Sequence, residues 1–318
     1  MAQEFPLSPA LSPLLRRRER EKAGAVPGCA RRGGVAVIFI HNAEFPVLLS
    51  ASNFKSTAME IIIQASVVEA QQQTARIIRR QIQRKPASVL GLATGSTPIG
   101  VYELLVAMHA RGELDFSRVR TFNLDEYVGL APDHPASYRQ FMHEHLFGKV
   151  NIRAENIYFP DGLAQDIPAH CEAYEESILR VGGIDLQLLG IGRDGHIGFN
   201  EPSSSLASRT RIKTITQQTA ADNARTFGGP DQVPRHVITM GVGTIMDARQ
   251  CLLMATGESK APVVAQMAEG AITADCPATI LQMHPSCQVV IDEPAAAKLK
   301  RADYYRSVFA NKPDWQRA

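Results

Sequence analysis

The sequence predicts an α/β fold, a mostly parallel sheet flanked by helices, as a single domain over residues 59–318. Three observations carry this. Short runs rich in valine, isoleucine and leucine at 89–93, 119–124, 184–189, 237–240, 252–255 and 289–291 are nearly continuous rather than alternating, as in strands buried on both faces. Helical patterns separate these runs. Glycine and proline punctuate the joints between them.

Taken in order, residues 66–84 form a helical stretch that stops before Pro86. Strand 89–93 runs into Thr94-Gly95-Ser96-Thr97-Pro98, after which Val101, Leu104, Leu105 and Met108 recur at helical spacing. Thr97 as N-cap, Pro98 as the first helical residue and Gly112 past the end give that helix its expected bounds. Strand 119–124 ends in the adjacent carboxylates Asp125 and Glu126. A helix over 169–180 closes before Gly182-Gly183, and strand 184–189 feeds a polar turn, residues 191–202, with glycines at 190, 192, 195 and 198. Strand 252–255 leads into Thr256-Gly257-Glu258-Ser259-Lys260.

Residues 1–58 read differently, as a disordered extension or an upstream start, with Met59 opening the folded unit. They carry eight Lys/Arg against four Asp/Glu and no sustained period, which leaves a slight acidic excess for the rest of a chain of net charge +2. No basic domain supports nucleic-acid binding. With 45% apolar and 21% charged residues, and no apolar run of about 18 residues, the expectation is a globular protein without membrane contact. Five cysteines (Cys29, Cys171, Cys251, Cys276, Cys287) without a Cys-x-x-Cys pair argue against a disulfide framework and a zinc site, and fit a reducing cytoplasm.

Three strand ends carry chemistry. Thr94, Gly95, Ser96 and Thr97 offer backbone N–H groups and hydroxyls to an anion at a helix start; the Walker lysine and the dinucleotide fingerprint are missing, so a monophosphate is the ligand expected. Of Asp125 and Glu126, neighbours on a strand point to opposite faces, so one is expected in a pocket and the other as support. Asp194, His196 and Glu201 set an imidazole between two carboxylates, the makings of a proton-transfer group. Lys260 stands at a fourth strand end as a phosphate partner, and Arg225 lies in the polar helical stretch 220–225. In open α/β sheets ligands bind beyond the carboxyl ends of strands, so these groups are expected to share one site. His134, His143 and His145 read as ordinary loop and helix residues, and no metal is expected.

On the motifs Gly91-Leu-Ala-Thr-Gly-Ser-Thr-Pro, Thr121-Phe-Asn-Leu-Asp-Glu-Tyr-Val-Gly-Leu, Gly190-Ile-Gly-Arg-Asp-Gly-His-Ile-Gly-Phe-Asn-Glu-Pro and Ser208-Arg-Thr-Arg-Ile-Lys-Thr, the chain resembles the glucosamine-6-phosphate deaminase (isomerase) family from about Met59 to Pro294. The resemblance implies a Rossmann-like fold, no cofactor, and conversion of glucosamine 6-phosphate and water to fructose 6-phosphate and ammonia. It makes Asp125 the base that moves a proton between carbons 2 and 1. His196 becomes the ring-opening residue, oriented by Asp194 and Glu201, and the phosphate seat comprises Thr94, Gly95, Ser96, Thr97, Arg225 and Lys260. Some bacterial members are homohexamers activated by N-acetylglucosamine 6-phosphate; Ser204, Arg211 and Lys213 match their activator pattern, while Tyr304 and Tyr305 stand only near the expected aromatic position. A galactosamine-6-phosphate deaminase, a 6-phosphogluconolactonase-like hydrolase and a sugar-phosphate-sensing regulator are the rival readings. The pairing of Asp125 with Asp194, His196 and Glu201 favours a deaminase.

Overall fold

Residues 57–313 are described in the computed structural model, without the side chains of residues 57, 58, 225 and 230. The extension expected over 1–58 lies, up to residue 56, outside the described residues. The folded unit begins slightly earlier than Met59, because Thr57 already pairs with Ser286.

Strands β1 (Thr57–Gln64), β2 (Val89–Leu92), β3 (Arg120–Asn123), β4 (Asp125–Tyr127), β5 (Ile157–Tyr158), β6 (Leu186–Leu189), β7 (Arg211–Thr214), β8 (His236–Thr239), β9 (Cys251–Ala255) and β10 (Ser286–Asp292) form two sheets. The larger has the order β1-β10-β9-β6-β2-β3-β5, and every pair in it is parallel. Helices α1 (Val67–Arg84), α2 (Ile99–Ala110), α3 (Tyr138–His145), α4 (Ile167–Arg180), α5 (Gln217–Phe227), α6 (Val242–Met246), α7 (Ala261–Glu269), α8 (Glu293–Ala296) and α9 (Ala302–Ala310) connect them.

Period-two alternation splits the strand residues between two cores. Val89, Phe122, Leu189, Leu253, Val289 and Ile291 pack with Ile178, Val264 and Met267 of α4 and α7. Leu90, Leu92, Leu186, Leu188, Leu252 and Val290 pack with Ile78, Val101 and Leu105 of α1 and α2. Helices on both faces explain why the strands read as continuous apolar runs. Where β2 and β6 lie side by side, a Cβ on Gly91 would stand 1.8 Å from Gln187 Oε1, so a larger residue at 91 would have to displace the Gln187 amide.

The chain leaves β2 toward β3 on one side, while the later strands β6, β9 and β10 build the other side, so strand order reverses between β2 and β6. Such a switch point opens a crevice at the carboxyl ends of the two strands.

Four sequence expectations need correction. Run 237–240 is a strand, but it belongs to a smaller antiparallel sheet of order β4-β8-β7. Buried on both faces, it carries the continuous apolar pattern of a parallel strand. The strand through Asp125 breaks at Leu124, whose N–H donates to Leu92 O (3.1 Å) and whose carbonyl accepts from Met240 N (2.7 Å), so the chain passes from one sheet to the other there. Thr97 does not cap α2: Pro98 holds the cap position and no side chain bonds the first turn. β1, an edge strand with Met59, Glu60 and Gln64 among its isoleucines, escaped the apolar-run criterion. Ser66 does cap α1, its hydroxyl accepting from Glu69 N at 3.2 Å.

Candidate active site

At the switch point a cavity of about 240 Å³ is lined by the 93–97 turn after β2, the 190–199 turn after β6, Leu124 and Asp125, and residues from α3, α5 and the β9–α7 turn. Of the residues expected to share a site, Thr94, Gly95, Ser96, Thr97, Asp125, His196 and Lys260 all line it. Arg225 falls within α5, but its side chain lies outside the described residues.

Asp125 and its neighbour divide their work as strand geometry requires. Asp125 is 5% exposed at the cavity wall. Burial, with the Glu126 charge second, pushes its carboxyl up from 3.8 to about 8. Glu126 turns away and accepts backbone N–H bonds from Tyr127 (2.9 Å), Tyr138 (3.0 Å) and Arg139 (3.0 Å). It thereby binds the first turn of α3 and sets Tyr138 into the cavity wall.

The 191–202 turn presents the imidazole. His196, 21% exposed, has Nδ1 2.7 Å from Oδ1 of Asp194, a close contact outside the geometry of an aligned hydrogen bond. The same carboxylate oxygen accepts the His196 backbone N–H at 3.2 Å. Burial raises the Asp194 carboxyl, but the His196 imidazole, its backbone N–H and Glu201 outweigh that and hold it below the ordinary range. Gly192 is what admits this pair: a Cβ there would lie 2.3 Å from His196 Nδ1 and 2.6 Å from Asp194 Oδ1. Glu201, 3% exposed, accepts from Thr219 Oγ1 (2.6 Å) and from Thr216 N (3.2 Å), tying the turn to the start of α5.

Asp194, His196 and Glu201 bring their donor atoms within 4.8 Å of one another, a grouping that could hold a cation. Their donors are already engaged, Glu201 with the two threonines and Asp194 with the imidazole.

Lys260 reaches the cavity from the end of β9 and donates from Nζ to Ile191 O at 2.7 Å. Burial, then the charge of Arg193, lowers its pKa. Arg193, Asp222, Asn223, Thr219, Phe199 and Tyr138 also line the cavity and were not singled out from the sequence. Arg193 and Phe199 belong to the 191–202 turn itself, whereas Tyr138 comes from α3 and Thr219, Asp222 and Asn223 from α5, which no short-range spacing links to it.

The residues of the activator pattern lie apart from the cavity lining. Arg211 and Lys213 alternate on β7, opposite Thr239 and Val237 of β8. Arg211 donates to Asn200 Oδ1 at 2.9 Å. Ser204 is buried, with its Oγ lacking a hydrogen-bond partner. Among the described residues no hydrogen bond joins Ser204, Arg211 and Lys213.

Residues 63–290 match the family described as glucosamine-6-phosphate isomerases/6-phosphogluconolactonase. A glucosamine-6-phosphate deaminase of Arthrobacter sp. (strain FB24) is 54% identical over 258 residues, 81% of this chain and 99% of that protein. One from Mycolicibacterium smegmatis is 53% identical over 259 residues, again 81% and 99%. The solved structure of a monomeric glucosamine-6-phosphate deaminase superposes with a TM-score of 0.74 at 42% identity, covering 76% of this chain and all of that one. The 6-phosphogluconolactonase of Trypanosoma cruzi, at 21% identity and a TM-score of 0.62, shares the fold.

Proposed function

The chain belongs to the glucosamine-6-phosphate isomerase/6-phosphogluconolactonase family, and from that membership we infer that it is an enzyme converting glucosamine 6-phosphate and water to fructose 6-phosphate and ammonia. The observation that carries the reading is one cavity lined by three things together: a hydroxyl-rich strand-to-helix turn, an imidazole held against a carboxylate, and the buried carboxylate of Asp125.

In this reading Thr94, Gly95, Ser96 and Thr97, with Lys260 and Arg225, hold the substrate phosphate, and binding at that end orients the reacting carbons at the other. His196, oriented by Asp194 and Glu201, takes the anomeric hydroxyl proton and supplies one to the ring oxygen as the ring opens. Asp125 then removes the proton from carbon 2 of the open-chain aldehyde, giving an enolamine, and returns it to carbon 1. Water adds to the resulting ketimine and ammonia leaves. A carboxylate does this work best when partly desolvated, which raises its basicity; the raised Asp125 carboxyl supports that role. Lactone hydrolysis has no need of a carbon base, and so leaves Asp125 idle.

The finer part of the proposal is activation by N-acetylglucosamine 6-phosphate at Ser204, Arg211 and Lys213, in a homohexamer in the cytoplasm. Two cations at i, i+2 positions on β7, and a buried Ser204 hydroxyl with no partner, support this reading. Cys171, Cys251, Cys276 and Cys287 are free thiols, which suits a reducing compartment. The monomeric 42%-identical relative makes sedimentation of the purified protein the first measurement.

Ammonia release from glucosamine 6-phosphate, beside its galacto epimer and 6-phosphogluconolactone, tests the whole reading. Preference for either alternative would overturn it. Substrate saturation with and without N-acetylglucosamine 6-phosphate tests activation, and an unresponsive wild type removes it.

A further inference from the structure

Beyond the expected phosphate seat, the cavity lining holds a second fixed cation. Arg193 NH2 pairs with Asp222 Oδ1, joining the turn after β6 to the helix α5 at the wall of the cavity. Asp222 is itself tied down by Gln218 Nε2 at 3.0 Å, one turn earlier on the same helix. Arg193 is 54% exposed and Asp222 39%, and an ion pair in water contributes little to stability. What distinguishes this pair is its position. Among the described residues that line the cavity, Arg193 and Lys260 are the lysine and arginine cations, and both belong to one local frame: Lys260 Nζ is bonded to Ile191 O, two residues from Arg193. Their charges face each other strongly enough that Arg193 is the second cause, after burial, of the lowered Lys260 pKa. Two cations held near each other, with hydroxyls and backbone N–H groups of the 94–97 turn in the same cavity, match a dianion better than a monoanion.

We propose that Arg193 is a phosphate-binding residue of this site, with Asp222 holding one edge of its guanidinium so that the other edge meets the ligand. A guanidinium carries five donors in a planar fork; a single carboxylate oxygen engages one of them and leaves the others to point elsewhere. Asp222 is thus a positioning residue. It fixes the long side chain before the phosphate arrives and lowers the ordering cost of binding. The proposal deepens the reading of the site as a sugar-phosphate deaminase by adding a residue to its phosphate end.

The test separates the two. Inorganic phosphate binding, measured by calorimetry at two salt concentrations, reads the anion site without any turnover. Arg193→Ala is expected to weaken phosphate binding about tenfold, the low end for a charge-assisted hydrogen bond because the side chain is half exposed. Arg193→Lys, which keeps the charge and loses the fork, should recover part of that. KM for glucosamine 6-phosphate should rise by a similar factor in Arg193→Ala. If the pair only straps the turn to the helix, Arg193→Ala and Asp222→Asn will lower the melting temperature alike and leave phosphate binding unchanged, and the assignment falls. If the wild type releases no ammonia while its phosphate binding still depends on Arg193, the deaminase reading fails and the anion site stands.

Discussion

Asp125→Asn separates stability from catalysis at one atom. The carboxyl rises from 3.8 to about 8 in the folded protein, burial first and the Glu126 charge second. That difference of about four pH units, at ~1.4 kcal/mol each, means folding disfavours the ionised form by on the order of 5 kcal/mol. The figure is an upper one, because the cavity admits water around the charge. Between pH 3.8 and about 8 the folded protein retains a proton that the unfolded chain has lost, so wild-type stability falls as pH rises through that window and levels off above it. Asparagine carries no such proton. Urea unfolding of wild type and variant at pH 5, 7 and 9 should therefore show the variant gaining on the wild type by several kcal/mol as pH rises. Turnover should drop about 10²- to 10⁴-fold, as for loss of a general base. In the wild type, kcat/KM should climb with pH to half its maximum at about 8 and level off above that. A stability gap that stays flat from pH 5 to 9 would refute the buried-charge argument, and solvent-deuterium exchange into fructose 6-phosphate persisting in the variant would remove Asp125 as the carbon base.

His196→Gln should slow cyclic substrate far more than an open-chain analogue; equal losses on both would take ring opening away from the imidazole. Lys260→Ala should weaken binding of glucosamine 6-phosphate roughly 10- to 100-fold while unphosphorylated glucosamine hardly notices. Comparable losses with both sugars would mark the lysine as a support for the Ile191 carbonyl instead. Gly91→Ala places a methyl where Gln187 Oε1 stands, and overpacking of this kind costs about 1–3 kcal/mol. The double variant with Gln187→Ala should recover most of the lost melting temperature, and failure to recover would place the strain elsewhere.

Boundary chemistry made much of this fold legible. Ser66 before α1 and the glycine pair after α4 act locally, through hydrogen bonds and dihedral preferences within a few residues, so the start of α1 at 67 and the end of α4 at 180 could be read directly. The smaller sheet could not. Val237 and Ile238 are fully buried, and burial on both faces looks the same in sequence whether the neighbour strand is parallel or antiparallel. The site divides the same way. Asp194, His196 and Glu201 sit in a turn whose glycines and carboxylates announce it, and Asp125 at a strand end beside a second carboxylate, whereas the pairing of Arg193 from that turn with Asp222, 29 positions on in α5, has no local signal. Glu126 could be read as a support from strand alternation, but the helix start it supports is twelve residues away.

The break at Leu124 divides the machinery between two sheets. The 94–97 turn and Lys260 are anchored to the seven-stranded sheet, while Asp125 travels with the three-stranded one, where it lies directly across from Thr239, and Thr239 in turn lies across from Arg211. The distance between the 94–97 turn and Asp125 is therefore set by how the two sheets meet, and not by either alone. Two backbone pairings, Arg211 with Thr239 and Thr239 with Asp125, span the smaller sheet from β7 to β4. Asp125 on one edge strand of the smaller sheet and Arg211 on the other therefore belong to one three-stranded unit, separate from the sheet that carries the 94–97 turn.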